Sequence, residues 1–308
     1  MADLADLALL ACHPMTRRLL LPAAGVIFFG IFLILTFPYD ALARRLEIEA
    51  QRNGADLSIG SLGPSGIAGL RARNVKLRIP PPPGGDAIPE VHLERADLSP
   101  DLFALLLRKT SFGFAINGYG GTARGHAALS NDPKQPGLVS LRLDARDVDL
   151  QALPLKEMAG LDATGKLQLQ INLAGLQPVE TAMGSVVVSL DGAAVTGGNL
   201  QGFPLPRTSL GHLDGNVTVE KGVARVDKTL ARGGDVDADV DGSVNLRPLL
   251  SLSQADLHVR FRPSDRWLNE NAMVKGALGL IQNARQGDGS YIFTFSGPLA
   301  RLTPRPGR

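Results

Sequence analysis

The segment Lys166–Leu173, KLQLQINL, decides the fold: Leu167, Leu169, Ile171 and Leu173 alternate without a break with Lys166, Gln168, Gln170 and Asn172. Successive side chains of an extended strand point to opposite faces, so this register puts four aliphatic residues on one side and the charged and amide residues on the other. A helix with 3.6 residues per turn would scatter the same residues around its circumference. The segment therefore reads as a strand with one apolar and one wet face, and the habit recurs outward from it. Toward the N-terminus Leu141 and Leu143 alternate with Arg142 and Asp144, and Val75, Leu77 and Ile79 with Lys76 and Arg78. Toward the C-terminus it returns at Val217 and Val219, at Val236, Ala238 and Val240, at Leu257, Val259 and Phe261, and at Tyr291, Phe293 and Phe295. One apolar face per strand is the mark of an antiparallel sheet, and the economical topology is a meander.

Punctuation between the strands supports this. Asp191-Gly192, Asp214-Gly215, Asp241-Gly242 and Asp288-Gly289 are dipeptides suited to the positive-φ positions of tight hairpins. Pro80–Pro83 cannot join a central ladder and is expected at a stiff hairpin tip. Helices are few. Ser99-Pro100-Asp101 followed by LFALLLRK predicts a short buried helix over Ser99–Lys109, Leu153–Ala159 reads as one or two turns, and Ser264–Ala284, carrying Trp267, Leu268, Val274, Leu278 and Ile281, is the longest late candidate.

The other decisive stretch is Leu19–Phe37, LLLPAAGVIFFGIFLILTF, nineteen uncharged residues that as a helix span ~28 Å, close to the hydrocarbon thickness of a bilayer. Leu19, Val26, Phe28, Phe29, Ile31, Phe32, Ile34 and Phe37 would face lipid in this anchor. Arg17 and Arg18 before it favour a cytoplasmic N-terminus, although Arg44 and Arg45 pull the other way. Ala41-Leu42-Ala43 has the form of a signal-peptide cleavage site, but the apolar run exceeds the usual length, so a retained anchor is expected. Leu9-Leu10-Ala11-Cys12 has the form of a lipoprotein box but follows Asp3 and Asp6 rather than basic residues, and reads as a lone cysteine in a tail. After the span, Leu42, Leu46 and Ala50 recur at four-residue intervals, which predicts an amphipathic stalk ended by Gly54. The resulting division is a cytoplasmic tail over 1–18, a transmembrane helix over 19–37, a stalk over 38–53 and an exported β domain over 54–308.

Composition narrows the chemistry. Among 308 residues there are 35 glycines, 21 prolines and 5% aromatics, which suits many short strands over a thin aliphatic core. The single cysteine, Cys12, rules out an intramolecular disulfide, which is ordinary for an exported bacterial domain. The net charge of +2 comes from 32 basic and 30 acidic residues interspersed along the chain, without the basic face that nucleic acid requires. Asp237-Ala238-Asp239-Val240-Asp241-Gly242 matches the first half of a calcium loop, but Pro248 stands where the bidentate glutamate belongs, so it reads as a solvated strand face with Asp235, Asp237 and Asp239 pointing one way. Gly118–Ala123 satisfies G-x-G-x-x-A, yet Thr122–Ser130 keeps alternating and reads as strand after a glycine turn. His13, His92, His126, His212 and His258 show no metal-ligand spacing and none lies near a candidate nucleophile in sequence. No catalytic residue, metal or cofactor is expected, and neither is an enzyme.

An anchor, a stalk, then Ser58-Ile59-Gly60-Ser61-Leu62 leading through Gly66–Leu70 into Arg73-Asn74-Val75-Lys76-Leu77 resembles the opening of AsmA-like proteins of the bacterial envelope. Within that group the chain is most similar to the type II secretion system protein N family (general secretion pathway protein N) of the deltaproteobacterial kind. The similarity includes Leu93–Leu107, the glycine-rich Phe112–Gly125 hairpin, and the ending Asp288-Gly289-Ser290-Tyr291 with Gly297-Pro298-Leu299. The resemblance implies a single-pass inner-membrane subunit with its C-terminal domain in the periplasm, structural rather than catalytic, whose partners are other secretion subunits and the lipid around its anchor. The fold expected is mainly β, a long twisted and curled antiparallel sheet with a few short helices. A sheet curled around an apolar face also makes a trough for acyl chains, so lipid binding or transfer is the alternative function, with Leu167, Leu169, Ile171, Leu173, Val217 and Val219 as its candidate lining.

Overall fold

The computed structural model describes residues 28–29, 32, 36–52, 54–66, 68–78, 90–132, 136–200, 203–204 and 206–307. Pro80–Pro83, Cys12 and His13 lie outside them. So do most of the anchor stretch and, with it, Leu19, Val26, Ile31 and Ile34. Phe28, Phe29 and Phe32 are helical and, with Phe37, exposed (74% for Phe28, 46% for Phe37). Among the described residues no helix is long and apolar enough to cross a membrane.

The alternating segments form one antiparallel sheet that follows chain order. It comprises β1 (Asp56–Ser65), β2 (Gly69–Arg78), β3 (Val91–Pro100), β4 (Thr110–Gly118), β5 (Gly121–Leu129), β6 (Leu138–Asp149), β7 (Leu161–Ala174) and β8 (Met183–Leu200). It continues through β10 (Thr208–Glu220), β11 (Val223–Arg232), β12 (Val236–Asn245), β13 (Gln254–Pro263), β14 (Tyr291–Pro298) and β15 (Thr303–Pro306). The two-residue β9 (Phe203–Pro204) pairs with β8 off this path. β1 and β15 are the two edges, and the sheet does not close on itself. Within β7 the expected alternation appears residue by residue: Leu167, Leu169, Ile171 and Leu173 are half-buried, and Lys166, Gln168, Gln170 and Asn172 are exposed.

The first edge is covered. The helix α1 (Tyr39–Arg52) lies along β1, and Glu47 Oε1 accepts the hydrogen bond of the Ile59 N–H at 2.8 Å, a donor that no neighbouring strand can satisfy. This contact sets the helix rotation. Ala43 is the buried residue and Leu46 is 40% exposed, so the stripe facing the sheet runs through Ala43, Glu47 and Ala50 rather than through the expected Leu42, Leu46 and Ala50.

Three other expectations are corrected. The helix expected over Ser99–Lys109 is only α2 (Leu102–Leu106), because Ser99 and Pro100 stay in β3, paired with Gly113 and Phe112. Its N-cap is Asp101, whose Oδ1 accepts from both Phe103 N and Ala104 N at 3.1 Å, and the helix is exposed rather than buried, with Phe103 and Leu106 more than 70% accessible. Three of the four Asp-Gly pairs are not hairpins: they lie inside β8, β10 and β12, and only Asp288-Gly289 is in a turn. Gly215 shows why. A Cβ there would come within 2.8 Å of Val188 Cγ1, so glycine serves close cross-strand packing and not chain reversal. The tight reversals are instead Tyr119-Gly120 and Lys221-Gly222, all four residues at positive φ as a type I′ turn demands. The late helical segment breaks into α4 (Asp265–Glu270) and α5 (Ala272–Leu280) at Asn271, whose Nδ2 donates to the Trp267 carbonyl and competes with helix continuation. The short α3 (Leu155–Ala159) precedes β7 and ends at Gly160 in the left-handed conformation.

Candidate functional site

The register of the whole sheet can be followed across one row of facing residues. Starting from Ile171, the row runs through Leu143, Gly125, Phe114, Leu98, Leu70 and Pro64 in one direction. In the other it passes through Val186, Val217, Val226, Gly242, Leu257, Phe295 and Pro304. Every one of the fourteen positions is apolar or glycine. Where the row has no side chain a neighbour fills the space: a Cβ on Gly125 would meet the Phe114 ring at 2.6 Å. The adjacent row, Ser99, Gly113, His126, Arg142, Asn172, Ser185, Thr218, Arg225, Ser243, Asp256, Ser296 and Thr303, carries no large apolar residue. The sheet thus separates an apolar and a polar face over its full width.

The six residues nominated as a groove share the apolar face. Leu167 pairs with Leu190, Leu169 with Val188 and Ile171 with Val186, which in turn faces Val217; Leu173 and Val219 both pair with Gly184. Their surroundings differ along the strands. Leu173, Val217 and Val219 pack with Ala182, Ala224, Leu176, Val244 and Leu246, so the protein's own connections fill that end. Leu167, Leu169 and Ile171 belong to neither of the two buried clusters and remain half-buried. The second cluster lies under the late helices, where Leu278, Ala284, Leu268, Val274 and Ile281 cover Phe261, Tyr291 and Phe293. The Phe261 ring stacks on Tyr291 and Phe293 with centroids 5.5 and 6.0 Å away. Trp267 is buried and donates its indole N–H to the Arg207 carbonyl at 3.0 Å, which ties α4 to the loop before β10.

Charges on the polar face are largely paired. Asp237 meets Arg262, Asp239 meets Arg232, and Asp241 lies 3.8 Å from His258. The calcium-like stretch is therefore a strand inside an arginine lattice, while Asp235, just before β12, accepts from the Ser209 N–H. Among the described residues no three His, Cys, Asp or Glu side chains are placed to hold a metal. His92, His126, His212 and His258 are all exposed on strands. His212 bridges Asp191 at 2.6 Å and Asp214 at 2.7 Å, and these two hydrogen bonds, Asp191 first, raise its pKa above the ordinary histidine value. Asp288 is lowered to about 2 by the Ser290 hydroxyl, the Ser290 N–H and Arg260. Asp97, held by Arg71, Arg95 and Ser65, is also lowered despite partial desolvation.

A feature the sequence reading passed over is a cavity of about 920 Å³ on the polar face between β3 and β8, to which Arg124, His126 and Arg142 contribute. The residue types were visible as the wet half of β5 and β6. That they face one another across strands depends on register, which a single sequence does not state.

No protein-family model matches the chain, and neither does any curated protein or solved structure.

Proposed function

We propose that the protein is an inner-membrane-anchored structural accessory of a type II secretion assembly, with its sheet in the periplasm and its work done by contact rather than turnover. The sequence resemblance supplies the assembly. The observation that supports a contact role is the apolar row running across fourteen strands, on a face that the helices cover only beside it, at Phe261, Tyr291 and Phe293. Leaving such a surface wet costs about 25 cal/mol per Å², so its middle is suited to a partner. Two separate connections at the end of the strands opposite the α1–β1 junction also present apolar side chains: Leu102, Phe103 and Leu106 between β3 and β4, and Leu249, Leu250 and Leu252 between β12 and β13, all more than half exposed. Deletion of the gene in its host is expected to leave folded exoproteins in the periplasm, and unaltered secretion would contradict the proposal. A periplasm-only reporter fused after Arg308 is expected to be active.

The second reading is a lipid trough, in which the sheet curls around acyl chains lying along Leu167, Leu169 and Ile171. It is favoured by the absence of these three residues from both buried clusters. Stoichiometric phospholipid in native mass spectra of the detergent-purified full chain, lost on Leu169→Asp, would establish this reading in place of the first.

A further inference from the structure

The face that the proposed contacts leave unused contains a cavity built on two adjacent cross-strand rows, and its charges do not balance. One row runs Asp97, Ala115, Arg124, Asp144, Gln170 and Val187, the other Ser99, Gly113, His126, Arg142, Asn172 and Ser185. All twelve line the cavity of about 920 Å³, together with Phe114, Gly125, Leu143 and Ile171 of the row that runs between them. Gly113 and Ala115 give it a low floor, and the His126 ring leans over Gly113, where a Cβ would approach within 3.2 Å.

Both lining carboxylates are already committed. Asp97 accepts from Arg71 Nε at 2.6 Å, Arg95 Nε at 2.7 Å and Ser65 Oγ at 3.2 Å. Asp144 accepts from Arg146 through both oxygens, Nε at 2.7 Å and Nη2 at 2.8 Å. Three guanidiniums outside the cavity thus hold its two carboxylates. Arg124, Arg142 and His126 make no hydrogen bond or close ion pair among the described residues; Arg124 stands opposite Asp144 and its charge also acts on that carboxylate, whose oxygens Arg146 already occupies. His126 stands directly opposite Arg142, and Arg124 is diagonal to it, so the three side chains rise within roughly 5–8 Å of one another. The two guanidiniums repel at this separation, and an anion between them relieves the repulsion, with the His126 ring beside them as a further hydrogen-bonding group.

We infer that this cavity binds a phosphate group carried on a polyol, with Arg124, Arg142 and His126 on the phosphate and the opposite wall on the hydroxyls. Guanidinium forks match phosphate oxygens in geometry and hold them with charge-assisted hydrogen bonds. The opposite wall supplies neutral donors and acceptors, Gln170, Asn172 and Ser185, whose side chains are otherwise uncommitted among the described residues. The volume exceeds that of a bare phosphate and suits a small organic ligand. A free sugar or glycerol phosphate and the headgroup of an anionic phospholipid share this chemistry.

The test uses the full chain in nanodiscs of phosphatidylcholine, with calorimetric titration by glycerol 1-phosphate and by inorganic phosphate, and a parallel preparation containing phosphatidylglycerol. The Arg124→Gln/Arg142→Gln double variant is expected to bind glycerol 1-phosphate at least about tenfold more weakly than the native chain, with an unchanged thermal midpoint. Arg232→Gln, which removes a charge from the same face outside the cavity, is expected to bind normally. Competition by phosphatidylglycerol that the double variant abolishes would identify a lipid headgroup as the source, and its absence a free metabolite. Equal weakening by Arg232→Gln, undiminished binding by the double variant, or inorganic phosphate binding as tightly as glycerol 1-phosphate would overturn the inference.

Discussion

The apolar face is finished differently at β13–β14 and at β5–β8. At the C-terminal end a connection of more than twenty residues, 264–290, leaves the sheet between β13 and β14, forms α4 and α5 and packs over Phe261, Tyr291 and Phe293, so that Tyr291 is 6% exposed. Between β4 and β5 the connection is the two-residue turn Tyr119-Gly120, and α3, between β6 and β7, adds none of its described side chains to a buried cluster. The strands themselves are alike. What differs is the length of chain available to fold over, so cover is a property of connections and the apolar face a property of strands.

The sharpest way to break this comparison is to remove a covered side chain. Tyr291→Ala is expected to cost ~3–5 kcal/mol, because it empties the stack on Phe261 and undercuts Leu278 and Ala284. An equally conservative truncation in the uncovered region, Ile171→Ala, is expected to cost well under half as much, ~1–2 kcal/mol, since no helix collapses with it. Denaturant melts of the full chain in detergent measure both, and equal costs would mean that the middle of the face is covered after all.

Next in size is the contrast across a single strand. Ile171→Asp places an unpaired carboxylate on the apolar row and is expected to destabilise by ~1–3 kcal/mol, whereas Gln170→Asp, exposed opposite the Arg146-paired Asp144 and diagonal to Arg142, should cost less than ~1 kcal/mol. Similar effects would show that the strand register is wrong by one residue.

That register is where the sequence was most legible. KLQLQINL has a period that admits one backbone geometry, and the observed burial repeats it position by position. The Asp-Gly pairs were misleading because glycine has two uses: Gly215 allows Val188 to approach, and nothing in the dipeptide distinguishes that from a turn. Leu102–Leu106 misled for another reason. An apolar helix is expected to be buried, but burial needs a partner, and this helix sits at an end of the sheet where none comes. The cavity of Arg124, His126 and Arg142 was illegible because it is made of cross-strand neighbours, up to eighteen positions apart in the chain.

The smallest effects concern the polar face. His212 gains two carboxylate partners on folding, so its pKa is higher in the folded than in the unfolded chain. The stabilisation this gives is complete below the unfolded value of about 6.5 and is lost as pH rises through the raised folded value. Asp191→Asn should return the histidine toward its ordinary pKa, measurable by NMR titration of the imidazole, and flatten that part of the stability profile. Asp288 behaves oppositely. Its contribution is present above the unfolded carboxylate range and disappears as pH falls toward about 2, and Ser290→Ala should raise its pKa.

The central claim is that the middle of the apolar face, half-buried and outside both buried clusters of the described residues, is where the protein is engaged. Site-specific photocrosslinking in living cells tests it most directly, with the photoreactive residue placed at Leu169 in one strain and in another at Gln168, exposed on the opposite face and outside the cavity. The account predicts a discrete adduct from position 169 and none from 168: a secretion subunit under the leading proposal, a phospholipid under the second. No adduct from 169, or the same adducts from both positions, would contradict it.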